Sequence, residues 1–350
     1  MPKKSLLINI FTALISSLLL FLCLELFVRV NPQLYCEGYR PSKNAKLVYE
    51  LQPGHKMTLL RAEISSQGLN DRYFTIKKSP GVYRIAVIGD STSFGWKVGA
   101  AKSFPKILER MLNDGKGKHK RFEVINFSVP GYNPSQEFEV LKEKAIKFNP
   151  DMVILCFCGN DTHVCNYIQP DLTVFNYLYN KSYFFHYVLR RIDLTLMSSG
   201  SQRLKSLWFS FKKNILGMFY FDQIIYSYPG LEETIYIEGN PPVKKERVPY
   251  KYWDMIGDEN YKIHLSYFRE FLESRHIPFI LVGFFTDEML KINETVGVKK
   301  TYDFLQLSQK DGIAYHEISL KNDWHLNGRG HALCAGYLYE RLKDIQTILN

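Results

Sequence analysis

Four short segments hold the side chains of this sequence best suited to chemistry: Gly89-Asp90-Ser91, Asn126-Phe127-Ser128-Val129-Pro130-Gly131, Gly159-Asn160-Asp161 and Asp323-Trp324-His325. A serine hydroxyl is a weak nucleophile until a base takes its proton, and its attack on a carbonyl builds an oxyanion that needs donors fixed beforehand. Ser91 is the candidate nucleophile and His325 the candidate base. Asp323 would bind one imidazole nitrogen, fix the tautomer and leave the other nitrogen open to the serine proton. The backbone N–H groups of Ser91 and Gly131 and the side-chain amide of Asn160 are the candidate oxyanion donors. Taken singly, each of these is more often an ordinary turn or loop residue. Their joint occurrence at successive strand ends carries the reading, whereas His163, His186 and His331 stand alone and are assigned to structure.

The elements that must bring these segments together follow from hydrophobic spacing. Residues 83–88 form a short apolar run stopped by Gly89, the pattern of a strand buried on both faces of a parallel sheet. Phe104, Ile107, Leu108, Met111 and Leu112 then repeat at helical spacing, with Ser103 as a cap and Pro105 in the first turn. The unit recurs: a strand at 122–127, a helix opened by Asn133 and Pro134, a strand at 152–157, a helix near 261–274 and a strand at 277–284. Residues 313–318 read as one more strand, and a last helix carries Leu338, Leu342, Ile345 and Leu349 on one side. Alternating strands and helices predict a parallel sheet covered on both faces, with ligands at the carboxyl ends of its strands. All four chemical segments fall at such ends. Residues 165–258, rich in Tyr and Phe and containing the turn Gly239-Asn240-Pro241-Pro242, break the rhythm and read as an insertion forming a cap or partner surface.

The amino-terminal region differs. Lys3 and Lys4 precede an apolar run over residues 6–28, about the length that crosses a bilayer as one helix. The end of that run lacks the small residues of a signal-peptidase site, so residues 1–30 are expected to be a cytoplasmic tail and an uncleaved transmembrane anchor. The positive-inside bias puts the following chain on the outer, periplasmic or extracellular, side. Residues 31–80 form an irregular lead-in to a main domain over 81–350. The 350 residues carry a net charge of +10, with basic and acidic residues interleaved, which suits anionic surroundings such as phospholipid headgroups and argues against nucleic acid. Six cysteines show no CxxC pair and no zinc-ligand spacing, so they are expected to be buried apolar residues or one disulfide. The pattern N-x-S/T occurs at Asn126, Asn160, Asn180 and Asn293.

With Ser91, Gly131, Asn160 and His325 in that order, the chain resembles the SGNH/GDSL hydrolase superfamily, whose four blocks supply Ser, Gly, Asn and His. The segments at 84–91, 149–155 and 325–331 (His-Leu-Asn-Gly-Arg-Gly-His) resemble its membrane-anchored bacterial branch. The resemblance covers about 81–164 and 260–345. It implies a flavodoxin-like three-layer α/β/α sandwich and a serine esterase that cleaves a carboxylic O-acyl ester through an acyl-Ser91 intermediate. No metal or cofactor is implied, and the substrate would be an acyl group on an envelope carbohydrate or lipid. Two rivals stay open: an O-acyltransferase using the same acyl-enzyme, and a non-catalytic anchored binding module of envelope assembly. Two departures matter. Cys158 stands where the third block often has glycine, and Asn322 stands where many members place the acid. Asp323 is preferred as the acid because a carboxylate stabilises imidazolium and an amide does not, with Asp161 as the alternative.

Overall fold

One long helix, α1 (Pro2–Val30), opens the chain in the computed structural model, which describes residues 2–31, 34, 38–114, 121–169, 181–198, 201–215, 224–228, 231–234 and 250–349. Its Ser5–Val30 stretch is long and apolar enough to cross a membrane. There follow β1 (Val82–Gly89), α2 (Ser91–Phe94), α3 (Phe104–Asp114), β2 (Arg121–Asn126), α4 (Pro134–Glu143) and β3 (Met152–Phe157). Next come β4 (Tyr167–Ile168), α5 (Tyr183–Ser198), α6 (Gln202–Ile215), β5 (Ile224–Tyr228) and β6 (Leu231–Thr234). The chain ends with α7 (Asp258–Glu273), β7 (Phe279–Gly283), α8 (Asp287–Val296), β8 (Thr301–Asp303), α9 (Phe304–Lys310), α10 (Tyr315–Ile318) and α11 (Gly328–Leu349). These elements gather into two compact units, Met1–Pro41 with Tyr167–Tyr236, and Ser42–Asn166 with Ile237–Asn350.

The larger unit is built on a five-stranded parallel sheet in the order β8-β7-β3-β1-β2. Every residue of β3 is buried, because helices cover both faces. On one face Ile85, Val87, Val124, Ile154 and Ile280 pack with Phe104 and Leu108 of α3 and with Leu338 and Leu342 of α11. On the other, Phe157 meets Tyr261 of α7, and Phe279 stacks on Phe268 of the same helix. Phe138 of α4 packs edge-on against Phe268, closing that layer. The architecture is therefore three-layered α/β/α. In the smaller unit, β4, β6 and β5 form an antiparallel sheet in that order, accompanied by α1, α5 and α6. The turn at 239–242, Asn180 and Cys36 lie outside the described residues.

Local chemistry explains where elements begin. Asn133 caps α4 in a reciprocal box with Gln136, and Pro134 takes the first turn, where a missing N–H costs nothing. At α3 the Ser103 hydroxyl donates back to the Ala100 carbonyl at 2.7 Å, so it serves the preceding turn and not the helix start. The strand expected at 313–318 is absent. Residues 315–318 instead form the single helical turn α10, closed where the Ala314 N–H donates to the Glu317 carboxylate at 3.0 Å, with Ile318 buried in the core. The edge strand is β8, whose Thr-Tyr-Asp sequence is too short and too polar to stand out as a strand.

Arg84, on β1, is 1% exposed and ties the stretch before β1 to the sheet. Its guanidinium pairs with Glu123 at 2.7 Å and donates to the carbonyls of Thr75 (2.7 Å), Ile76 (2.9 Å) and Phe148 (2.8 Å). Breaking a buried ion pair on one side leaves the partner charge uncompensated, at a cost of about 3–5 kcal/mol. Arg84→Ala is expected to lower the unfolding free energy by about that amount, read as a lower urea midpoint. A midpoint within error of the wild type would show that these bonds contribute nothing net.

Candidate active site

Ser91 stands one residue beyond β1, after Asp90, as the first residue of α2. Gly89 is needed there for room and not for an unusual backbone angle: a Cβ would lie 2.4 Å from Ser93 Oγ and 2.7 Å from the Cys156 carbonyl oxygen of β3. Asp90 caps the turn, with its Oδ1 accepting the Thr92 N–H at 2.8 Å. Near the other end of the chain, the loop between α10 and α11 is drawn shut by Leu320 N–H on the His325 carbonyl at 2.8 Å. Its second clasp is the Asn327 side-chain amide, which donates to the carbonyls of Glu317 (2.9 Å) and Ser319 (2.8 Å). This loop carries His325 to Ser91, with Nε2 at 2.9 Å from Oγ. Asp323 Oδ1 lies 2.5 Å from His325 Nδ1 and also accepts the His325 backbone N–H at 3.1 Å.

Two features of this chain of bonds set its electrostatics. Lys97 Nζ lies 2.7 Å from Asp323 Oδ2, so the carboxylate is bonded on both oxygens. Burial opposes ionisation of Asp323, but the bonds from Lys97 and His325 outweigh it and hold its pKa down to about 2. His325 is pushed below its ordinary 6.5 by burial, with Asp323 pulling the other way. The imidazole is therefore neutral near pH 7, as a base must be. The Ser91 hydroxyl also has a second acceptor, Asp90 Oδ2 at 3.0 Å. Having one proton, it must turn from Asp90 to His325 before the transfer.

The expected oxyanion donors divide. Beyond β2 the chain keeps pairing with β1, through Phe127 N–H on Val87 O at 2.8 Å and Val129 N–H on Gly89 O at 3.0 Å, which brings Gly131 to the end of β1 where Ser91 stands. Gly131 has φ +75°, and a Cβ there would lie 2.2 Å from Asn166 Cγ, so only glycine fits. Neither the Ser91 nor the Gly131 N–H has an acceptor among the described residues. Asn160 lies in the helical turn Gly159–Thr162, but its side chain is outside the described part. Cys158 is buried, and its N–H donates to Asp161 Oδ2 at 3.0 Å. Asp161 is thus engaged with its own turn, and the carboxylate on His325 is that of Asp323. Burial, reinforced by Asp90, raises the pKa of Glu137 well above the usual carboxylate range, and burial, reinforced by Glu137 and Asp90, does the same to Asp161. Burial likewise pushes up the Cys156 and Cys158 thiols, keeping them protonated.

Three residues of the site had no advance signal. Lys97 is one of 45 Lys and Arg residues, and only its position on the turn after α2 brings it to Asp323. Trp96 and Trp324 both stack on the His325 ring, with centroids 4.9 and 3.9 Å away. Trp324 is 43% exposed, whereas the Trp96 indole N–H is buried with no partner among the described residues. His331 is a buried structural histidine whose Nδ1 accepts the Phe104 N–H at 3.2 Å, and burial lowers it to about 3. Among the described residues no group of three or more His, Cys, Asp or Glu side chains is gathered as for a metal. Asn126 and Asn293 are each 1% exposed, which leaves no room for a glycan.

No family model and no curated protein matches the chain. Among solved structures it is similar to a lipase/acylhydrolase from Enterococcus faecalis, with 12% identity over 75% of this chain and 96% of that one and a TM-score of 0.42. It is also similar to a psychrotrophic esterase from Pseudoalteromonas, with 11% identity over 75% and 98% and a TM-score of 0.39. An acetylxylan esterase from Geobacillus stearothermophilus gives 12% identity over 74% and 93% and a TM-score of 0.38.

The charges around His325 predict two opposite shifts. In histidine-selective NMR of the full chain, His325 is expected to titrate below 6.5. Lys97→Ala removes a cation and should move that titration up, and Asp323→Asn removes the stabilising carboxylate and should move it further down. A titration that neither substitution moves would rule out this electrostatic account.

Proposed function

We propose that this chain is a serine esterase of the SGNH/GDSL type, cleaving a carboxylic ester through an acyl-Ser91 intermediate. The observation that carries the reading is the continuous run of bonds from Ser91 Oγ through His325 to Asp323 and Lys97. Ser91 Oγ attacks the ester carbonyl carbon while its proton passes to His325 Nε2. The carbonyl oxygen takes the negative charge and is met by the open N–H groups of Ser91 and Gly131, with the Asn160 amide as the third donor expected from sequence. As the tetrahedral species collapses, His325 gives its proton to the departing alcohol oxygen. Water, deprotonated by the same imidazole, then attacks the acyl carbon and restores Ser91. Asp323 holds the imidazole in the tautomer with a proton on Nδ1 and stabilises the imidazolium formed at each transfer.

The exposed Trp324 ring beside His325 supports a substrate with a flat apolar face at the mouth of the site, such as a sugar ring carrying the acyl group or an acyl chain. For the cellular setting, Lys3 and Lys4 ahead of the apolar run support α1 as an uncleaved anchor with its amino end in the cytoplasm and the following chain on the outer side.

Purified full chain is expected to hydrolyse a short-chain aryl ester and to be labelled at Ser91 by a fluorophosphonate. Ser91→Ala should abolish labelling and lower kcat by about 10³- to 10⁶-fold, and Asp323→Asn by about 10²- to 10⁴-fold. The acid limb of kcat/KM, which reports the free enzyme, should lie below pH 6.5 because the active form carries neutral His325. Equal turnover by wild type and a folded Ser91→Ala variant would overturn the proposal, and a folded wild type that never labels would favour a binding module.

A further inference from the structure

In the smaller unit, the outer end of α1 is bonded to the start of α5. Glu25 accepts the Ser182 hydroxyl at 2.8 Å and the Tyr183 and Phe184 N–H groups at 3.0 Å each, so a residue of α1 caps α5. Arg29 completes the joint, paired with Glu25 at 2.9 Å, with its guanidinium 4.6 Å from the Tyr183 ring centre. Depth follows from the rise of a helix. A span beginning at Leu6 covers the roughly 30 Å of hydrocarbon in about 20 residues, which brings the outer boundary to the level of Glu25. Phe21 lies one turn deeper, and the rings of Phe184 and Phe185 approach it at 6.1 and 6.4 Å. The first turn of α5 therefore reaches below the level of its own cap, and Phe185 is 50% exposed there.

The next helix continues this character. Trp208 of α6 donates to Asp193 of α5 at 2.6 Å, fixing one helix to the other. Leu204, Leu207 and Phe211 follow each other at i, i+3 and i+7, on one face, and are 51%, 60% and 44% exposed. A row of large apolar side chains on one helix face is not left to water without cause. The sequence of α6 contains Arg203, Lys205, Lys212 and Lys213 and no acidic residue. Exposed Leu and Phe with Lys and Arg in the same helix is the composition of helices that lie in a membrane interface.

We propose that the start of α5 and the whole of α6 lie in the headgroup layer of the outer leaflet, with Phe185, Leu204, Leu207 and Phe211 entering the acyl boundary beside the anchor. The occupant of this face is the phospholipid bilayer itself, and the inference rests on the reading that α1 crosses that bilayer. Its test uses full chain in phosphatidylethanolamine and phosphatidylglycerol vesicles containing a phospholipid with a photoactivatable diazirine in its acyl chain. After irradiation, adducts are mapped by peptide mass spectrometry. Adducts are expected on α1, on the peptide holding Phe185 and on the peptide holding residues 204–211. The triple variant Leu204→Ser, Leu207→Ser, Phe211→Ser should lose α6 adducts by about fivefold or more while α1 labelling persists. Should the triple variant fail to insert, Leu207→Ser alone is compared in the same way. Adducts on α1 with none on α5 or α6, as expected if another protein covers this face, would overturn the inference and leave the anchor standing. A clean α1 would overturn both, and α6 adducts unchanged in the variants would show that this face is not the one in contact.

Discussion

The hydrogen bond between Ser91 and His325 joins positions 234 residues apart, and the rest of the larger unit can be understood as what makes that meeting unavoidable. β1 lies inside the sheet between β2 and β3, so its carboxyl end, and Ser91 with it, cannot shift without moving two neighbours. α11 packs on the same face as α3, and the buried bond from the Phe104 N–H to His331 pins the two helices in register. His325 stands just ahead of α11, in a loop whose polar groups are spent on closing itself. The base is therefore held by helix packing from behind and by Asp323 from the side, and Lys97 connects that carboxylate to the turn after the nucleophile.

Much of this was legible in the sequence, and the reason is physical. A strand buried on both faces must be continuously apolar, and a glycine where two strand ends nearly touch cannot be replaced, so β1, β3 and the Gly89-Asp90-Ser91 turn announce themselves. The approach of the Gly131 loop to Ser91 follows from topology, since the loops after parallel strands emerge on one edge. Asp323 and His325, by contrast, follow a helical turn and not the expected strand, and reach Ser91 through the closure of their own loop. Long-range partners left no such trace. Nothing in the neighbourhood of Lys97 distinguishes it from other surface cations, and the stacking of Trp96 on His325 depends on how two distant loops pack. The edge strand β8 escaped notice because an edge of three residues has neither length nor alternation, and the apolar residues after it, placed to bury a helical turn, imitated a strand.

Behind Ser91 the protein tolerates an unusual arrangement. Glu137 and Asp161 are buried and both have pKa values raised well above the usual range, and among the described residues no bond reaches either carboxylate oxygen of Glu137 or Oδ1 of Asp161. Burial of an unpaired charge costs more than holding a proton, so both acids are kept neutral. The sign of the linkage is definite: acids with raised folded-state pKa values favour the folded form most fully below their unfolded values, and that contribution is lost as pH rises through the folded ones. Asp90 faces the same interior yet accepts bonds from Thr92 and Ser91. The nucleophile thus rests against the one carboxylate of the three that, among the described residues, accepts a bond on each of its oxygens.

Arg84 bears on where the larger unit can be cut. Two of the carbonyls that receive its guanidinium, those of Thr75 and Ile76, belong to the stretch before β1, which looks dispensable on secondary structure alone. An expression fragment started at residue 81 would strip away those acceptors and strand a cation under the sheet. A recombinant version begun at Ser42, where this body of the protein starts, keeps every acceptor in place.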